Sequence, residues 1–138
     1  MNEAAILLGG VLSATVGVGH CFFYRGFGWK EDFESTRLLT ARVLYTIHIF
    51  LIPMFVLFAY LSFVHTEELA GATPLGRSLA AFYALFWFVR GLWQLIYFRP
   101  SRIQGFEKML ALHYILIVLF VLLCAAYSFP LLSTFFNR

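Results

Sequence analysis

Residues 84–100 read ALFWFVRGLWQLIYFRP, and Arg90 is the one charged residue between Arg77 and Arg99. A run of this kind predicts a helix in lipid, because backbone groups without water must pair within their own segment. About 20 apolar residues cross ~30 Å of hydrocarbon, and residues 75–98 supply them.

Three further runs pass the same test, at about 4–24, 39–64 and 107–133. The expectation is an all-α integral membrane protein over residues 1–138, with four transmembrane helices in one antiparallel bundle. Composition points the same way. The chain is 62% hydrophobic and 12% charged, where a soluble domain carries about 25% charged residues. Mean hydropathy is +0.83. A soluble chain this short has too much surface to hide so much apolar area.

The breaks between the runs are polar. RGFGWKEDFESTR, HTEELAGATPLGR and RPSRIQGFEK separate them in turn. Thr73-Pro74 reads as an N-cap followed by proline at the first helical position. Ser101 with Gln104 reads as a capping box before the fourth helix. Lys and Arg set the orientation. The first loop has Arg25, Lys30 and Arg37, and the third has Arg99, Arg102 and Lys108. The second loop has Arg77, and the C-terminal tail Arg138. Loops one and three are expected in the cytoplasm, and both termini outside. The N-terminal MNEAAILLGG lacks the basic region of a cleavable signal. The net charge of +3 sits where topology and anionic headgroups put it, so no nucleic-acid partner is called for. Cys21 and Cys124 form no C-x-x-C pair and read as buried thiols.

Lipid tails do not drive helices together, so small and polar residues mark the inward faces. Gly9, Ser13 and Gly17 recur every four residues on the first helix, and His20 follows on the same side. Arg42, Tyr45 and His48 line the second. Tyr83, Trp87, Arg90, Gln94 and Tyr97 share a face of the third. His113, Ile117, Phe120, Cys124 and Tyr127 run along the fourth. At ~1.5 Å of rise per residue, His20, His48, Arg90, Gln94 and His113 fall at similar depth near one boundary. Pro53 leaves the Ile49 carbonyl, beside His48, without its helical donor.

No acidic residue lies in the hydrophobic cores of the four spans, Glu107 standing at the interfacial start of the fourth. A cation costing about 2.5–3.5 kcal/mol to insert, with no anion to meet it, points to an anionic ligand. Imidazole is the usual ligand for haem iron, zinc and copper. The residues therefore predict a protein binding a cofactor or anionic ligand near the cytoplasmic leaflet. Haem b or a transition metal would sit on His20, His48 and His113, with Arg90 and Gln94 holding an anionic group. A non-catalytic accessory subunit, whose polar layer only joins helices or a partner, is the alternative. Catalytic-serine, nucleotide and H-E-x-x-H motifs are missing. Nothing in the residues decides whether the protein is an enzyme.

The pattern Arg90-x-x-Trp93-x-x-x-Tyr97-x-Arg99 resembles the third-helix stretch of the membrane-associated proteins in eicosanoid and glutathione metabolism. Trp93 stands where that family has tyrosine. The resemblance implies a homo-oligomer, a trimer, binding glutathione between subunits. Arg90, Trp93, Tyr97 and Arg99 would then be the ligand contacts. The resemblance covers the third helix and the topology.

Overall fold

The computed structural model describes residues 1–98 and 109–136, with side chains described as far as Ser133. Five α-helices follow in order: α1 (Asn2–Gly26), α2 (Trp29–Ser35), α3 (Leu38–Val64), α4 (Pro74–Ile96) and α5 (Leu110–Phe136). A wide helical turn, Glu68–Ala72, joins α3 to α4. Four of the helices are long and apolar enough to cross a membrane. No strand occurs among the described residues.

α1 lies against both α3 and α5, and α5 lies against α4. α3 and α4 meet through large rings. Phe58 stacks on Tyr83 at 4.1 Å between centroids, and Phe55 on Trp87 at 5.5 Å. The four helices thus close into a ring with one wide, aromatic seam. Trp87 is sandwiched, since Phe120 of α5 stacks on its other side at 5.8 Å. Its indole N–H is buried without a hydrogen-bond partner among the described residues.

The α1 seam is close instead of wide, and small residues are the reason. A Cβ on Gly9 would lie 2.7 Å from Cζ of Tyr127, and one on Gly10 2.9 Å from Cβ of Ser62. Ser13 is fully buried between them. The Tyr127 hydroxyl shares hydrogen bonds with Ser13 at 3.1 Å and with Ser62 at 2.8 Å. One phenol therefore ties α1, α3 and α5 together in a layer of hydrocarbon. Ser62 also donates to the Phe58 carbonyl at 2.7 Å.

The start of α4 follows its sequence signals. The Thr73 hydroxyl accepts from the Gly76 amide at 3.0 Å, and Pro74 opens the helix. Gly76 rests directly on the Glu68 carbonyl, leaving no room for a Cβ. Gly71 adopts φ 112, a conformation that favours glycine.

The first loop departs from expectation by containing α2. Gly28 turns the chain at φ 66, and Glu31 and Asp32 sit in the first turn, where carboxylates favour a helix N-terminus. Trp29 and Phe33 lie one turn apart with rings 5.6 Å apart. They fold this segment back onto the bundle. The capping pair Ser101 and Gln104 and the basic residues Arg99, Arg102, Lys108 and Arg138 lie outside the described residues.

Candidate functional site

The polar side chains at the end of the bundle carrying the first and third loops form two groups. The first joins α4 to α5. Arg90 Nη1 donates to Oε1 of Gln94 at 3.0 Å, one turn further along α4. Gln94 Nε2 lies 3.0 Å from Nδ1 of His113 on α5. Arginine only donates, so Gln94 must present its oxygen to Arg90 and its amide hydrogens to His113. His113 then accepts at Nδ1, which fixes the direction of the chain. Gln94 and His113 are both buried. Arg90 is half-buried, and its guanidinium lies 4.6 Å from the Phe120 ring centroid and 5.8 Å from that of Phe98.

The second group joins α1 to α3. His48 Nε2 donates to the His20 carbonyl at 2.9 Å, and His20 Nδ1 donates to the Val16 carbonyl at 2.9 Å. The two imidazoles lie 5.4 Å apart in a stacked arrangement. Phe23, Phe55 and Trp29 complete the box, with Trp29 edge-on to His48 at 4.7 Å. α2 thereby covers His48, an arrangement that the polar run of the first loop did not signal. Each neutral histidine that spends its N–H on a backbone carbonyl keeps a lone pair on its other nitrogen.

The five predicted inward residues are therefore placed as follows. Arg90, Gln94 and His113 form one chain, and His20 and His48 form one pair. The three histidines do not gather at one point. Among the described residues, no three His, Cys, Asp or Glu side chains form a group able to hold a metal ion. His113 belongs to the α4–α5 side, because Gln94 engages it there.

Of the residues implied by the third-helix pattern, Trp93 and Tyr97 are exposed on the outside of α4 and stack at 5.2 Å. Tyr97 leaves the inward face because it stands at the C-cap of α4. Arg99 lies outside the described residues. On α3, Arg42 and Tyr45 are exposed and His48 is buried, so that stripe turns inward only at its deeper end. The fourth-helix stripe does face inward, with His113, Phe120 and Tyr127 buried.

Arg90 forms no salt bridge with a carboxylate among the described residues. Its partners among the described residues are a neutral amide and two aromatic rings. The chemistry on offer is a planar, permanently charged donor beside an apolar surface, with a polar chain behind it to hold its orientation. The chain matches no family model, no curated protein and no solved structure.

Proposed function

We propose that this four-helix membrane protein binds an anionic ligand, with Arg90 as the recognising cation and Gln94 and His113 as its support. One observation carries the reading: a half-buried guanidinium inside a span hydrogen-bonds only to the neutral Gln94 and lacks a carboxylate partner among the described residues. A charge in a poorly hydrated site is stable when it is paired or hydrogen-bonded, and intramembrane ionisable residues mark ligand pathways and sites. Gln94 fills one donor of five and leaves the rest of the fork for a carboxylate or phosphate. By the basic-loop asymmetry, the site lies in the cytoplasmic leaflet. The test is thermal unfolding of the detergent-purified protein with added anions. The wild type gains stability with its ligand, and Arg90→Leu does not.

A second reading places a transition metal or haem b at the histidines. It draws on the His20–His48 pair, whose ring N–H groups donate to backbone carbonyls, as those of metal-ligating histidines commonly do. Two donors are too few for a closed site, and since His113 stands apart from this pair, exogenous ligands must complete it. A Soret band, or stoichiometric metal in the purified protein, supports this reading, and His48→Ala removes it.

A third reading is a glutathione-binding homo-oligomer, with Arg90, Trp93, Tyr97 and Arg99 as contacts. Trp93 and Tyr97 stack on the outer side of α4, where a neighbouring subunit would meet them. Glutathione belongs among the anions titrated for that reason. A protein that responds to no anion and carries no cofactor is an accessory subunit.

A further inference from the structure

Arg90 stands within a long apolar groove on α4. Phe82, Leu85, Phe86, Val89, Arg90 and Trp93 line a volume of about 340 Å³. Phe82 and Arg90 are eight residues apart, so the apolar part runs ~12 Å along the helix from the guanidinium. Arg90 lies six residues from the end of α4 at Ile96, ~9 Å by the same rise. Phe82, Leu85, Val89 and Trp93 are each at least half exposed, so the groove opens sideways into lipid. Its floor is shut by Phe86, which packs against Phe58 and Trp87.

This shape selects among anions. A small hydrophilic anion entering the groove gives up its water and gains contact with Arg90 alone, while five hydrocarbon walls offer it nothing. An amphiphile with one negative headgroup and an alkyl chain matches both parts. We infer that the groove holds an anionic phospholipid of the surrounding leaflet, its phosphate on Arg90 and one acyl chain along Val89, Phe86, Leu85 and Phe82. The inference rests on the anion-binding reading of Arg90 and names the ligand's class. Charge complementarity favours an anionic over a zwitterionic lipid, because a choline headgroup places a second cation beside the guanidinium. The third loop, with Arg99, Arg102 and Lys108 in sequence just beyond α4, adds attraction for the same leaflet.

The experiment is native mass spectrometry of the full chain released from micelles doped with equimolar phosphatidylglycerol and phosphatidylcholine of identical acyl chains. Wild type is expected to retain phosphatidylglycerol preferentially. Arg90→Gln is expected to reduce that preference by on the order of tenfold, the effect of losing one charge-assisted phosphate contact. Arg77→Gln, which removes a charge at the far end of α4, should keep it. Val89→Trp, which fills the groove and spares the guanidinium, should also lose retained lipid. That keeps the test decisive if Arg90→Gln misfolds. No preference in wild type, or the same preference in Arg90→Gln, overturns the inference. Thermal shifts with inorganic phosphate and glutathione then separate the two claims. An Arg90-dependent shift without lipid preference leaves the anion site standing and the lipid wrong; neither signal removes both.

Discussion

The Arg90 guanidinium of α4 lies 4.6 Å from the centroid of the Phe120 ring on α5. A cation over an aromatic face is attracted by the ring quadrupole, by about 2 kcal/mol or more when water is scarce. That contact and the bond to Gln94 hold the guanidinium at the helix flank, without neutralising its charge. The site is consequently oriented and still charged, which is the state a receptor for an anion requires.

Gln94→Glu tests this charge balance. A carboxylate at Gln94 would stand in the place of an oxygen now 3.0 Å from Arg90 Nη1. It should pair with Arg90 internally, lose the amide donor to His113 unless that ring turns an N–H toward it, and abolish stabilisation by added anions. Undiminished anion stabilisation in this variant would mean that the ligand binds elsewhere.

The close seam gives a packing prediction. Gly9→Ala places a methyl within 2.7 Å of the Tyr127 ring, and overpacking of this kind costs about 1–3 kcal/mol. Gly17→Leu and Ser13→Leu should be worse still, as they part α1 from its neighbours. Leu7→Ala, at an exposed site, should be mild. Denaturation midpoints in one detergent rank the four; equal tolerance would put the stripe toward lipid.

Tyr127→Phe removes the hydroxyl that meets Ser13 and Ser62. Interhelical hydrogen bonds in membranes average about 0.6 kcal/mol and reach ~1.7, so the expected loss is about 1–3 kcal/mol for the two bonds. Ser62→Ala combined with Tyr127→Phe should cost less than the sum of the single changes, because the pair shares one bond. Strict additivity would show that the two hydroxyls act independently.

Reporter fusions check orientation. Fusions at residues 30 and 103 should read cytoplasmic, and those near residue 70 or after residue 138 external. The reverse pattern would move the Arg90 end to the opposite leaflet.

Most of the bundle was legible because inward faces repeat with the helical period. Gly9, Ser13 and Gly17 all prove buried, as do Tyr83, Trp87 and Gln94. The period says which face turns inward, but says nothing of which residue lies opposite. The Tyr127–Ser62–Ser13 node depends on the register of three helices, and so does the pairing of Gln94 with His113. Periodicity also fails toward helix ends, where Tyr97, Arg42 and Tyr45 are exposed although the spacing turns them inward. Depth counting put three histidines in one layer. Depth says nothing of lateral position, which depends on the order of helices around the ring. α2 was hidden by its charges, which belong to its outer side while Trp29 turns to His48.

The most direct test of anion binding is to purify wild type and Arg90→Leu in a mild detergent, denature both, and identify the released small molecules by mass spectrometry. A near-stoichiometric anionic compound should leave the wild type and be strongly depleted from the variant, with both proteins equally helical beforehand. The same compounds in the same amounts from both would contradict the assignment of Arg90 as the recognising cation.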